Sequence, residues 1–227
     1  MSNSASRFPD CVPVLSDGVV TLRAHRADDI DRVYRQATDP EMARWTTVPV
    51  PYECADAEEF VLQHIPAKWN SGTAMCWVID VDGLFAGGVD IRGDGPEPEI
   101  GYGLHPDQRG RRIMSRAVRL AVAHAFAVGK TRIGWVALDG NLASLRVAHQ
   151  CGFVLDAWVP GGAIARGEPV DAYRASLRAG DPLHPRTSWE STLADAARMR
   201  EAHPGPGERT LETQSEYLAS RAREHKP

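Results

Sequence analysis

Ile100-Gly-Tyr-Gly-Leu-His-Pro-Asp-Gln-Arg-Gly-Arg-Arg-Ile-Met-Ser115 is the stretch on which the reading of this chain turns. An apolar, glycine-bearing strand runs to Leu104, His105-Pro106 turns the chain, and a short basic loop with Gly110 leads into a helix near Arg112. Such a loop presents backbone N–H groups at a helix start, where unsatisfied donors and the helix dipole favour a phosphate. Arg109, Arg111 and Arg112 add mobile positive charge, and the N–H groups of Ile113, Met114 and Ser115 fall in the first helical turn. On these residues alone, an anion site and a solvated, arginine-rich helix start both stay open.

Upstream, Ala74–Ile79 and Leu84–Ile91 read as strands joined by Asp82-Gly83, a strong hairpin signal, and Glu97–Leu104 reads as a third. Earlier still, Val19–Arg23 is a predicted strand. Asp28 and Asp29 open a helix ending near Asp39-Pro40, and a second helix runs from about Ala55 to Gly72, kinked by Pro66. Downstream come a helix from Arg112 to Val128, a strand over Thr131–Leu138, a helix from Asn141 to Cys151, and a strand pair, Phe153–Val159 and Val170–Leu177. The order predicts an α/β or α+β sheet of mixed direction. Residues 1–17 read as a loose arm, 18–178 as the domain and 179–227 as an extension. In the extension, Thr187-Ser-Trp-Glu190 has the form of a capping box. Trp189, Leu193 and Ala197 form a narrow apolar stripe, expected to bury against the domain or a second subunit of a homodimer. His203–Gly207 should break that helix, leaving a charged remainder with Leu211, Tyr217 and Leu218.

The composition of the 227 residues, 43% hydrophobic and 25% charged, is too apolar for wholesale disorder. A net charge of −4 gives no basic footprint, which disfavours nucleic acid as a partner. No apolar run approaches a membrane span, and the first seven residues lack the apolar core of a secretory signal. Four scattered cysteines, never in CxxC spacing, argue against a disulfide framework and for a reducing cytoplasm. The eight histidines show no metal spacing, so no metal is expected.

Taken together, Glu99-Ile-Gly-Tyr102, His105-Pro-Asp107 and Arg109-Gly-Arg-Arg-Ile-Met114 resemble the acyl-CoA-binding motif of the GNAT N-acyltransferases, most closely the ribosomal-protein-alanine acetyltransferase branch. Asn141-Leu-Ala-Ser144 and Cys151-Gly-Phe153 resemble the family's next motif, and Val20-Thr-Leu-Arg23 with Ala27-Asp-Asp29 resembles its N-terminus. The resemblance covers about residues 18–178. It implies a sheet splayed between two parallel strands, here Glu97–Leu104 and Thr131–Leu138, with the pantetheine arm of acetyl-CoA or another acyl-CoA lying between them. Gly101 and Gly103 would permit a bulge there, and the Leu104 N–H would face the thioester oxygen, a role worth about 2.7–4 kcal/mol.

The implied acceptor is a primary amine, on a small molecule or a peptide. An alkyl ammonium is almost wholly protonated at pH 7, a deficit of roughly 4 kcal/mol that a general base partly recovers. The resemblance points first to Glu99 as that base, then to Glu97 and Asp90, the last suited also to binding the acceptor. It makes Ser144 the acid or thiol hydrogen-bond donor, Asn141 a pantetheine contact and helix cap, and Trp45 part of the acceptor wall. Two residues depart from the pattern. Arg112 stands where the family keeps glycine, so it either clamps a phosphate or blocks the pyrophosphate in favour of an acyl carrier protein's single-phosphate arm. Ala148 stands where many members carry a tyrosine acid. A non-catalytic CoA-binding module is the reading from another class.

Overall fold

The computed structural model describes residues 11–203. The first ten residues of the arm, most of the predicted breaker at 203–207, and Leu211, Tyr217 and Leu218 lie outside the described residues.

Among the described residues, eight strands form one sheet in the order β1-β2-β3-β4-β5-β6-β8-β7. They are β1 (Leu15–Ser16), β2 (Thr21–Arg23), β3 (Ala74–Val81), β4 (Leu84–Arg92), β5 (Glu99–Leu104), β6 (Arg132–Leu138), β7 (Val154–Ala165) and β8 (Glu168–Arg178). Among these strands only the neighbours β5 and β6 pair in parallel, joined by a helical crossover, α5 (Ile113–Ala127). β3 is buried along its whole length. Its alternate residues Met75, Trp77 and Ile79 join the main core with Ala117, Val118, Ala121 and Val122 of α5. Its other residues face α1 (Ile30–Ala37), α3 (Cys54–Glu59) and α4 (Ile65–Ser71), as in the cluster of Val33, Ala57, Val61, Val78 and Phe85.

Asp82 and Gly83 turn the β3–β4 hairpin with φ of 53° and 83°, the double left-handed turn an Asp-Gly pair favours. Other segments correct the sequence reading. Pro40 does not merely end α1; it opens an unforeseen helix, α2 (Pro40–Trp45), since a helix's first turn needs no N–H from its first residue. The helix expected to kink at Pro66 is two helices, α3 and α4, joined by a π-helical turn at Phe60–His64, with Pro66 harmless in the first turn of α4. β7 and β8 run further than predicted, to a tip at Arg166-Gly167.

In the extension, α7 (Trp189–Glu201) is capped by Ser188, whose side chain accepts from the Ser191 N–H at 3.1 Å, one residue later than the capping box placed it. Ala197 is exposed, and the buried side carries Thr192 and Ala196 with Trp189 and Leu193 partly covered. That side packs on β7 and on α6 (Leu142–Gln150) of the same chain, where His149 meets the Trp189 ring edge-on.

A buried ion cluster ties β2 to β3 and to the turn before α1. Arg23 makes a two-pronged bond to Asp29, both contacts 2.8 Å, and a third to Asp80 at 2.6 Å. Nearby His25 packs edge-on against Phe60, and its buried Nδ1 has no hydrogen-bond partner among the described residues. Burial depresses this imidazole to about 4. As pH falls below 6.5 the unfolded chain therefore takes up a proton that the folded chain refuses, and stability drains away between about pH 6.5 and 4. His124, edge-on to Trp77, is depressed by burial in the same direction. Asp29 extends the slope. Burial alone would raise its carboxyl, but Arg23 and the Arg26 N–H hold it below its ordinary value, so its contribution is lost below about pH 3.8. His25→Asn is expected to flatten the thermal-melting profile between pH 6.5 and 4, removing roughly 2–3 kcal/mol of the acid loss. Parallel profiles for parent and variant would rule His25 out as its source.

Candidate active site

β5 and β6 pair only at Glu99↔Gly134 and Ile100↔Trp135. Beyond that point β5 stays bonded to β4, up to Gly87↔Leu104, and β6 to β8, up to Leu138↔Ala172, so the sheet opens between them. The separation needs no bulge in β5, whose ladder to β4 is continuous, which corrects the expected role of Gly101 and Gly103. Their missing side chains serve packing. A Cβ on Gly101 would lie 2.5 Å from Arg92 Nη2 and 2.8 Å from Asp90 Oδ1, and one on Gly103 would press on Met42 and Gln36. The close backbone approach belongs to Gly87, at φ 156°, where a Cβ would sit 2.3 Å from the Gly103 oxygen. The His105 N–H bonds the Ala86 carbonyl at 2.9 Å, so strand alternation turns the Leu104 N–H to the opposite edge, towards the opening.

A cavity of about 640 Å³ follows this opening. At one end it meets the loop before α5 and the start of α6 through Arg109, Asn141 and Ser144. It also reaches Asp90, Arg92, Glu99 and Lys68, and Trp45, Phe60 and the hairpin residue Ile164 are among its lining residues. Arg166 at the hairpin tip donates to the carbonyls of Ala43, Thr46 and Val48, fastening the β7–β8 tip to the end of α2.

The candidates sort unevenly. Glu99 and Asp90 share Arg92, at 3.2 and 3.0 Å. Burial raises the Asp90 carboxyl against the pull of Arg92 and Lys68. Glu97 does not line the cavity; it lies before β5, exposed, and pairs with Arg132 at 3.3 Å. Trp45 ends α2 and is absent from the core; its Nε1 donates to Glu41 at 2.8 Å, and Arg44 sits over its ring. Asn141 caps α6 by accepting the Ser144 N–H at 3.1 Å. Arg109 and Arg111 both have partners. The first pairs with Asp39 and reaches the Leu104 carbonyl, and the second donates to Gln108 at 2.7 Å. The side chains of Ile113, Met114 and Ser115 are buried, the last bonding Gln150, so their N–H groups are the parts facing the helix start. Cys151 is core, its thiol against the Ser115 carbonyl. Among the described residues no cluster of His, Cys, Asp or Glu could hold a metal, and no helix is long and apolar enough to cross a membrane.

The sequence profile of the acetyltransferase (GNAT) domain matches residues 20–154, more than half of the chain. The chain belongs to the GNAT acetyltransferase family.

Solved GNAT structures share the fold. Mycobacterium smegmatis RimJ in complex with CoA-disulfide matches at a TM-score of 0.66 and 23% identity, over 84% of this chain and 96% of that one. The microcin C7 self-immunity acetyltransferase MccE, bound to acetyl-CoA and AMP, matches at 0.65 and 20%, over 71% and 93%. A Salmonella typhimurium acetyltransferase that modifies the N-terminal serine of ribosomal protein L7/L12 matches at 0.66 and 18%, over 73% and 99%. No curated protein sequence matches the chain significantly.

Against the GNAT pattern, Arg112 is the informative departure. It caps α5 with φ 59° and ψ 15°, the left-handed conformation glycine adopts freely, and its exposed side chain makes no hydrogen bond or ion pair among the described residues. The loop thus keeps the backbone shape a glycine would give it, at a strain of about 1–2 kcal/mol. Ala148 is fully buried and offers no acid. Reading the sequence missed Tyr102, Trp135, Arg92 and Lys68 as cavity residues. For Tyr102 a signal existed, a phenol in an otherwise glycine-rich strand; Arg92 is placed only once the β4–β5 register is known.

Proposed function

We propose that this acetyltransferase moves an acetyl group, or another short acyl group, from acyl-CoA to a primary amine by direct attack in a ternary complex, using one domain over residues 18–178 with 179–227 as its extension. The observation that supports this is the continuous cavity running from the α5 loop to the Asp90–Arg92–Glu99 cluster between strands that stay unpaired. Acyl-CoA fits it: pyrophosphate at the N–H groups of α5, pantetheine amides along the open edges and Asn141, and the thioester oxygen at the Leu104 N–H. Ser144 sits where the thiol would leave. Asp90 is the base we favour, with Glu99 holding Arg92 beside it. A covalent enzyme intermediate is disfavoured because burial pushes the Cys76 and Cys151 thiols up to about 12. The four free cysteines suit a reducing compartment such as the cytoplasm.

Mass spectrometry of the purified protein for bound CoA, followed by thiol-release assays with acetyl-CoA over a panel of peptide N-termini and small amines, tests this reading. Transfer to an amine supports it. CoA binding with no transfer to any amine would leave a sensor, and activity only with an acylated carrier protein would move the donor.

Arg112 then becomes a phosphate clamp. Arg112→Gly is expected to weaken CoA binding on the order of fivefold, with a shallower salt dependence, through loss of a charge-assisted contact. Tighter CoA binding in that variant would show the arginine to be an obstruction.

A further inference from the structure

Tyr102, Trp135 and Ser144 come from three elements, β5, β6 and α6, and meet where the two strands part. The Trp135 Nε1–H is shared between the Tyr102 oxygen at 2.8 Å and Ser144 Oγ at 3.2 Å. Tyr102 donates its only hydroxyl proton to the Ser144 carbonyl at 3.1 Å. The Ser144 hydroxyl donates back to the Tyr102 oxygen, again at 3.1 Å. Every donor in the triangle is used, and all three side chains line the cavity. Burial drives the phenol above its ordinary range, so at neutral pH it remains a protonated donor.

This closure fixes two things about Ser144. Its carbonyl, which belongs to the first turn of α6, is tied to β5, so the helix start cannot drift from the opening. Its hydroxyl oxygen is located by the indole, while the hydroxyl proton rests on an acceptor that can release it without being left unpaired, because Trp135 still supplies the Tyr102 oxygen.

We propose that Tyr102 is a positioning residue for thiol departure, holding Ser144 so that its hydroxyl swings from the tyrosine oxygen to the sulfur of the leaving group. The proposal rests on the reading that acyl-CoA occupies the opening. In the step itself the amine nitrogen bonds the acyl carbon and the carbon–sulfur bond breaks. Sulfur then departs with the electron pair, stabilised by the Ser144 O–H, and the proton lost by nitrogen passes through the base to solvent while the thiolate takes one up. Nothing is oxidised or reduced. With Ala148 lacking any hydroxyl, the donor is Ser144 in the first turn of α6, held from the sheet side by Tyr102 and Trp135.

The test is a double-mutant cycle on Tyr102→Phe and Ser144→Ala, read as single-turnover rate and as KM for acetyl-CoA, with the best amine from the panel as acceptor. Phenylalanine keeps the ring, so melting temperature checks that packing survives. Each single variant is expected to lose about tenfold in rate with KM changed less than twofold, and the double variant to lose no more than either single one, because one hydroxyl acts through the other. Losses that multiply would overturn the proposal, as would a Tyr102→Phe rate equal to the parent's. A parent that neither binds nor turns over acetyl-CoA overturns the underlying reading, and the proposal with it. An active parent with an unaffected Tyr102→Phe variant sinks the proposal alone.

Discussion

Asp90→Asn is expected to lower kcat at pH 7 by about 10²–10³-fold, the scale of a lost general base, while acetyl-CoA affinity stays within about twofold. The amine arrives charged and must give up a proton before its nitrogen can attack, so the useful carboxylate is one whose affinity for protons has been lifted towards neutrality. Burial lifts Asp90, opposing Arg92 and Lys68. Its side chain is 30% exposed against 44% for Glu99. The missing side chain of Gly101, opposite Asp90 in the β4–β5 register, leaves its carboxylate room to cross towards the acceptor. Arg92 bonds both carboxylates, so Glu99→Gln should disturb the cluster and cost less, about tenfold. The Asp90 deficit should shrink as pH approaches the acceptor's own pKa, where free amine no longer needs a base. The reverse ranking, a flat Asp90→Asn and a crippled Glu99→Gln, would return the role to the residue that the sequence motif singles out.

Arg23→Ala should be the most damaging single change to stability, costing about 3–5 kcal/mol, or roughly 10–15 °C in melting temperature for a chain of this size. The loss is not that of an attractive pair alone. Arg23, Asp29 and Asp80 are 5%, 4% and 8% exposed, so removing the guanidinium leaves two carboxylates in the interior with nothing to balance them. The Gly83 N–H on Asp80 and the Arg26 N–H on Asp29 are too few to hold both charges. Arg23 is part of what holds the Asp29 carboxyl below its ordinary value, so the gap between variant and parent should narrow in acid, as pH falls below about 3.8. Neutralising the acids alongside, as Arg23→Met with Asp29→Asn and Asp80→Asn, should recover part of the stability. A melting temperature within about 2 °C of the parent's for Arg23→Ala would mean that water reaches the cluster.

The strands, α5 and the arginine-rich loop before it were legible because each carries a local signal. Asp82-Gly83 can hardly do anything but turn a hairpin; β3 shows as an unbroken apolar run before it, and α5 carries its apolar residues at helical spacing. What escaped depends on partners distant in sequence. α2 opens on a proline that looks like a terminator until its first-turn position is known. Glu97 and Glu99 are two residues apart and alike on paper. One meets Arg132 outside the cavity and the other Arg92 within it, because the β4–β5 ladder begins at Glu99. Arg109 looked free because Asp39, seventy positions away, gives no sign of being its partner. The Tyr102–Ser144 bond spans 42 positions, and no spacing rule reaches that far.

The two-residue contact between β5 and β6 has a cost that the rest of the sheet does not share. One flank, β1 to β5, and the other, β6 to β8, are stitched by so few ladder pairs that the sheet is least reinforced at the opening we propose for the donor. On the proposed reading, mutations that zipped Gly101–Leu104 onto Val136–Leu138 would give a sturdier protein with nowhere to put its donor. Selection on such a chain pulls durability and turnover in opposite directions at a single seam, and robustness must be gathered elsewhere, as in the ion cluster around Arg23 and the α5 core.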